Sequence, residues 1–208
     1  MKLENTLHDS QVEPDDLDKS FSCFPTSFFA AVRNLERALP EEAQRPHLAS
    51  DDSERVFIAK LNANKSHYQK LAVKGAGHWA STYDPRYVWG FYPVLAKEYC
   101  RGYRVEFMSL KLYQLIKVFD ELRHPMPIGT DLTHSGHIVN MIGYEENGLW
   151  CNDPWGDKNA AVYRGSNGHE VFYTFDQLGF KEKIHTLAIS YDKEFWEPKL
   201  LEMVLDRW

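Results

Sequence analysis

The sequence predicts an α+β domain, with helices first and a mostly antiparallel sheet afterwards. In the first part of the chain, apolar residues recur at the three- and four-residue spacing of amphipathic helices. In the second part, short alternating or apolar stretches are separated by turn residues instead of long helices. Strands joined in this way form hairpins, so we expect no doubly wound parallel sheet.

The chain length fits one domain preceded by a short arm. Its 208 residues lie close to the usual upper size of a single domain. Residues 1–20 are polar and acidic, and Glu13-Pro14-Asp15-Asp16 combines like charges with a proline. We therefore predict a flexible acidic arm over residues 1–20 and a single domain over residues 21–208.

The helices are predicted from their apolar faces and their end signals. The first helix starts near Pro25 and ends at Pro40. Another begins with Ser109 as its N-cap and ends at His124-Pro125. The predicted apolar face of the first helix consists of Phe28, Ala31, Val32, Leu35 and Leu39, and that of the second consists of Leu112, Leu115, Ile116, Phe119 and Leu122. Further helices are predicted at 51–64, Val94 to Cys100 and Phe195 to Trp208.

Six strands are predicted after the second of these helices, and one before it. They are Tyr103 to Met108, then Pro127 to Leu132, His137 to Tyr144, Leu149 to Asn152, Ala160 to Arg164, Glu170 to Thr174 and Ile184 to Ser190. Asn147-Gly148 and Ser166-Asn167-Gly168 are turn signals between strand pairs.

Composition and charge exclude several classes of protein. The chain is 43% hydrophobic and carries a net charge of −6 with scattered Lys and Arg, which argues against a nucleic-acid partner. The N-terminus has no apolar signal-peptide core, and no stretch of about 18 uncharged apolar residues occurs. We expect a protein that neither spans a membrane nor is exported, with a cytoplasmic location as the default. Oligomeric state is not readable from these features.

The cysteines and histidines predict neither a disulfide framework nor a metal site. Cys23, Cys100 and Cys151 are widely spaced, and an odd number leaves at least one thiol free. His134 and His137 form an HxxH pattern without a helix or nearby further ligands, which is poor spacing for a metal. We predict no metal and no cofactor, with Cys100 and Cys151 as packing residues.

Cys23 lies where a nucleophile can be activated. A thiol attacks only as its thiolate, and the exposed N–H groups of a helix N-terminus favour negative charge. Pro25 fits the first helical turn, where its missing N–H costs nothing. The remaining N–H groups are available to an oxyanion.

His137 and Asp153 supply a base and a carboxylate to orient it. They are sixteen residues apart, so a hairpin centred near Glu145 brings them side by side. A tight loop centred on Asn147-Gly148 would instead pair Asp153 with Ile142. The triad hypothesis therefore requires a longer loop or a bulge.

Each of these residues also has a purely structural interpretation. A buried cysteine is often a small core residue, His137 can bond a loop carbonyl, and Asp153 can cap the turn at Pro154. The aromatic residues of the middle segment, which suit either a substrate cleft or core packing, are Trp79, Tyr83, Tyr87, Trp89, Phe91 and Tyr92.

Two motifs together resemble a known family. Cys-x-Pro-Thr-Ser from Cys23, and Gly-His with alternating apolar residues leading to Asn152-Asp153-Pro154, resemble the papain-like cysteine peptidases, in particular the branch related to bacteriocin-leader-processing (double-glycine) peptidases. The resemblance implies a papain-like fold with Cys23 as nucleophile, His137 as general base and acid, and Asp153 as orienting carboxylate. It also implies a bacterial or phage source and a peptide or isopeptide substrate cleaved through a thioester.

The chain departs from this pattern at two places. Phe24 replaces the usual glycine, and Leu17 to Ser20 contain no oxyanion glutamine, for which Gln11 is the nearest candidate. A papain-like module that binds peptides without cleaving them is therefore the alternative from another class. Cleavage of peptidoglycan stem peptides is an alternative within the enzyme class.

Overall fold

The computed structural model describes residues 1–10, 23–41, 44, 100–134, 136–165, 167–180 and 182–192. Within them, the elements are α1 (Cys23–Arg37), β1 (Tyr103–Leu110), α2 (Leu112–Leu122), β2 (Met126–Thr130), β3 (His137–Glu145), β4 (Gly148–Asn152), β5 (Val171–Thr174), the single turn α3 (Phe175–Leu178) and β6 (Ile184–Tyr191). The described strands form an antiparallel sheet in the order β1-β6-β2-β3-β4-β5. The α+β prediction is confirmed.

Several sequence predictions concern other parts of the chain. The predicted helices at 51–64 and Phe195 to Trp208, residues 94–99 of a third helix, and the aromatic residues between Trp79 and Tyr92 lie outside the described residues.

Helix α1 packs on one face of the sheet through the apolar face predicted for it. Phe28, Val32 and neighbouring apolar residues of the helix are fully buried and form a core cluster with Leu187 and Ile189 of β6. Burying a side chain of this size contributes about 2 kcal/mol. The apolar face therefore holds the helix, and with it Cys23, against the sheet.

Helix α2 belongs to a second core cluster on the opposite face. Leu115 and Phe119 are fully buried there with Val139 of β3, whereas the adjacent Ile138 packs against the α1 cluster. Successive residues of a strand point to opposite faces. Their division between the two clusters shows that the sheet lies between α1 and α2.

The start of α2 differs from the prediction. Ser109 is not its N-cap, because it lies inside β1 opposite His185. The N-cap is Lys111, whose backbone N–H donates to Gln114 Oε1 at 2.9 Å. Pairing between β1 and β6 continues to Leu110, and this tertiary contact overrides the local preference of serine for a cap.

The predicted strand from Ala160 to Arg164 is also wrong. These residues form bends in an irregular connection between β4 and β5, which pair directly with each other. Backbone at Gly156 and Gly165 has positive φ, +125° and +158°, and Gly165 N–H donates to the Trp155 carbonyl at 2.9 Å. The glycines turn the chain back on itself here, so the segment forms a loop.

Residues 1–10 were predicted to belong to a flexible arm, but they make specific contacts with the rest of the chain. Leu3 N–H donates to the Ile142 carbonyl at 2.8 Å, Lys2 forms a β-bridge with Gly143, and Thr6 is buried. Because β2 pairs with β3 only as far as Met141, residues 1–3 continue the pairing on that side of β3, opposite to β4. Residues 11–20 lie outside the described residues.

Among the residues described, none of the helices combines the length and apolar character needed to cross a membrane.

Candidate active site

Cys23 is the first residue of α1, and its side chain is partly exposed. The next residue, Phe24, is buried in the α1 core cluster. Hydrogen bonds connect this end of the helix to β3: Ser27 Oγ donates to the Ile138 carbonyl at 3.3 Å, and Asn140 Nδ2 donates to the Ser27 carbonyl at 2.9 Å. The sheet therefore sets where Cys23 lies relative to the start of β3.

His137 and Asp153 are carried by one hairpin, β3 and β4 with their connecting loop. The loop is too short for these two residues to lie directly opposite each other. Glu145 lies opposite Gly148, which leaves a two-residue loop. The predicted hairpin centred near Glu145 is therefore wrong, and the tight turn signalled by Asn147-Gly148 is present, one residue earlier than expected. Two-residue loops match the twist of paired strands.

A bulge at Ile142 corrects the register of this hairpin. The pairing shifts by one residue between Met141 and Gly143, so that extending the pairing past β4 sets Asp153 opposite Val139. Without the extra residue, Asp153 would lie opposite Asn140, on the other face of the sheet. The bulge thus places Asp153 diagonally from His137 on one face, a separation that long side chains can bridge.

The imidazole of His137 and the carboxylate of Asp153 form a buried pair. His137 Nε2 lies 2.7 Å from Asp153 Oδ1, and the two residues are 5% and 0% exposed. An ionised carboxylate only accepts hydrogen bonds, so Nε2 carries a proton. Nδ1 is then the ring nitrogen left for another partner.

Cys23 also interacts with this imidazole. Burial by itself lowers the pKa of His137. The charge of Asp153 and its hydrogen bond to the ring, together with a hydrogen bond and charge from Cys23, outweigh burial and raise the pKa to about 10. The ring therefore remains an imidazolium at neutral pH.

Asp153 is held by further donors that the sequence analysis missed. Its Oδ1 accepts from Trp155 N–H at 2.9 Å, and its Oδ2 accepts from the hydroxyls of Tyr163 and Tyr173, each at 2.8 Å. Burial, followed by the charge of Asp153, raises the pKa of both tyrosines. No local pattern marks these tyrosines, because Tyr163 reaches the carboxylate through the folding of the β4–β5 connection and Tyr173 through the pairing of β5 with β4.

Residues 6–10 connect α1 to the loop that carries Asp153. On the helix side, Leu7 N–H donates to Asn34 Oδ1 at 2.9 Å. On the loop side, Asn152 Nδ2 donates to the Leu7 carbonyl at 3.0 Å, and His8 Nε2 donates to the Asp153 carbonyl at 2.9 Å. This segment ties the element carrying Cys23 to the one carrying Asp153.

The other residues singled out from the sequence do not take part in the candidate triad. Gln11, the candidate oxyanion donor, lies outside the described residues. Cys100 and Cys151 are fully buried, as predicted for packing residues. Within the described parts of the chain, no three His, Cys, Asp or Glu side chains are grouped so that they could hold a metal ion.

Comparison with models of protein families matches residues 10–181 to the Peptidase_C39 like family. The match covers most of the chain and includes Cys23, His137 and Asp153. No curated protein and no solved structure matches the chain.

Proposed function

Because the chain belongs to the Peptidase_C39 like family, a family of cysteine peptidases, we propose that it cleaves amide bonds with a Cys23-His137-Asp153 triad. The family match confirms the resemblance to cysteine peptidases related to bacteriocin-leader-processing enzymes. The observation that carries the proposal is the His137 imidazole, which is bonded to Asp153 at 2.7 Å and also interacts with Cys23.

The proposed architecture is a single papain-like domain. A helix with cysteine at its first residue packs on an antiparallel sheet, and the histidine opens one of the strands. In this arrangement the nucleophile and the base come from different elements and meet where β3 begins. The bonds between Ser27 and β3 support it, because they hold those two elements together.

The proposed reaction uses the thiolate as nucleophile. Cys23 Sγ attacks the carbonyl carbon of a peptide or isopeptide link, and the carbonyl π electrons move to oxygen. The imidazolium of His137 then protonates the amine as the C–N bond breaks, which leaves a thioester. The ring next takes a proton from water as the water attacks the thioester, and it returns a proton to sulfur as the acid product leaves.

The oxyanion of this reaction needs donors. We propose that backbone N–H groups at the start of α1 stabilise the oxyanion, because the N-terminus of a helix favours negative charge. Gln11 is the proposed side-chain donor.

Alkylation with iodoacetamide tests the nucleophile without requiring a known substrate. An ordinary thiol is mostly protonated at pH 6, so we expect Cys23 to be labelled more than about tenfold faster at that pH than a free cysteine. The His137→Ala variant should lose this advantage. His134→Ala is the matched control, because His134 is exposed and three residues away.

Mass spectrometry of the labelled protein locates the modified residue. Cys100 and Cys151 are internal references, since both are fully buried and burial raises the pKa of the Cys151 thiol. Slow labelling of Cys23 that is indifferent to His137→Ala would reject the hydrolase and favour a peptide-binding module. Where labelling is fast, digestion of a peptide library by wild type and by Cys23→Ser identifies the substrate.

A further inference from the structure

The two oxygens of the Asp153 carboxylate have different partners. Oδ1 accepts from His137 and from Trp155 N–H, whereas Oδ2 accepts from the hydroxyls of Tyr163 and Tyr173. The carboxylate is fully buried, so these four donors replace the water that would otherwise solvate its charge. Such charge-assisted bonds are stronger than those between neutral groups.

Hydrogen bonds to Oδ2 affect the proton on the opposite side of the carboxylate. Each donor draws negative charge toward itself, which weakens the attraction of the carboxylate for the imidazolium. In the proposed reaction, the imidazolium must give a proton to the leaving amine. A carboxylate with fewer donors would make His137 a weaker acid and slow that step.

We propose that Tyr163 and Tyr173 are positioning residues that hold Oδ2 so that Oδ1 faces His137, and that they keep the imidazolium acidic enough to protonate the leaving amine. The inference rests on the proposed roles of Cys23, His137 and Asp153.

The two tyrosines differ in how cleanly they can be tested. Tyr173 is fully buried in β5, and its hydroxyl also accepts from Lys158 N–H at 3.1 Å. Tyr163 is partly exposed, and its ring meets the His137 ring edge-on, with centroids 6.2 Å apart and planes at 87°. Tyr163→Phe keeps this ring contact and removes only the hydroxyl, so it is the informative variant.

Several titratable groups lie around this carboxylate or interact with its hydrogen-bond partners. By element, they are Cys23 of α1, His137 of β3, Cys151 of β4, Tyr173 of β5, Tyr163 and Lys158 of the β4–β5 connection, and His8 of the N-terminal segment. Because of this coupling, the test follows the His137 ring itself.

The test is an NMR titration of the His137 ring in the full chain, comparing wild type with Tyr163→Phe. Loss of the hydroxyl should raise the pKa of His137 further by about one unit, the scale of one hydrogen bond to a charged group. Tyr113→Phe is the matched control, since Tyr113 is 67% exposed on α2, and should leave the titration unchanged. An unchanged or lowered pKa in Tyr163→Phe would overturn the proposal.

Kinetics separate this proposal from the proposed function. With a substrate found by profiling, Tyr163→Phe should lower kcat about tenfold at pH 7 and change KM less than about twofold. An equal change in KM, or no change in kcat, would reject the positioning role even if the triad is correct. Undiminished cleavage by Cys23→Ser would instead reject the triad, whereas the titration judges the tyrosines without any substrate.

Discussion

Replacing Asp153 by asparagine removes one charge from the centre of the site and keeps the size of the side chain. In the wild-type protein this carboxylate is the main cause of the raised pKa of His137, against the lowering effect of burial. With a neutral amide in its place, burial should dominate, and we expect the pKa of His137 to fall to 6.5 or below. The amide can also offer an N–H group to Nε2, which would favour the wrong tautomer.

The size of the effect follows from the pKa. A change from about 10 to the ordinary value of 6.5 corresponds to about 5 kcal/mol, at about 1.4 kcal/mol per unit. Cys23 contributes to the same rise, so the share of Asp153 is smaller. Even at 6.5, less than about a quarter of the rings would be protonated at pH 7, so the alkylation rate of Cys23 should fall at least about threefold at that pH.

The same pKa predicts how stability depends on pH. The pKa of His137 is raised in the folded protein above its unfolded value, so the stabilisation from the charged ring is complete below about pH 6.5. It is lost as the pH rises through about 10. Wild type should therefore lose stability over this range, and Asp153→Asn should show a flatter profile.

Two measurements check this prediction. NMR titration of the His137 ring reports its pKa, and urea unfolding at several pH values between 6 and 10 reports the linked stability. Asp176→Asn is the matched control, because Asp176 is exposed on α3. Persistence of a His137 pKa above about 8.5 in Asp153→Asn would refute the assignment of the raised value to this carboxylate.

The remaining predictions concern the contacts that support the site. Asn34→Ala should lower the free energy of unfolding by about 1–3 kcal/mol, because it removes the paired bonds to Leu7 at 2.9 and 3.3 Å; an unchanged urea midpoint would count against a role for this contact. Gly168→Ala should destabilise the protein by about 1–3 kcal/mol and slow Cys23 alkylation, because the new Cβ would lie 1.9 Å from the Asp153 carbonyl oxygen. Normal stability and normal labelling would show that the loop can shift to make room for the Cβ atom.

Regular elements with a strong local pattern were predictable. The apolar face of α1 and the start of β3 at His137 follow from side-chain periodicity, because burial on a helix or strand repeats with the backbone. Local patterns failed where pairing decides the outcome. Ser109 lies in β1 because it pairs with β6, and the apolar residues from Ala160 to Arg164 form part of a loop.

The three residues proposed as the triad could be named from the sequence, but the register that brings Asp153 to His137 could not. Cys23, His137 and Asp153 have the residue types and order of a thiol hydrolase, which can be read directly from the chain. The sequence analysis left two ways for Asp153 to reach His137, a longer loop or a bulge, and the structure has a bulge at Ile142. The position of the bulge is set by pairing between strands. A shift of one residue reverses the face to which each side chain points, and composition does not reveal it.

The amino-acid sequence by itself determined the fold class, the helix that begins at Cys23 and the three residue types proposed for chemistry, because these depend on local periodicity and side-chain identity. Only the tertiary structure decided the bulged register, the hydrogen bonds of residues 6–10 to α1 and to the end of β4, and the two tyrosine hydroxyls that donate to Asp153. These contacts join residues far apart in the chain, and their geometry depends on how the sheet and its connections pack together.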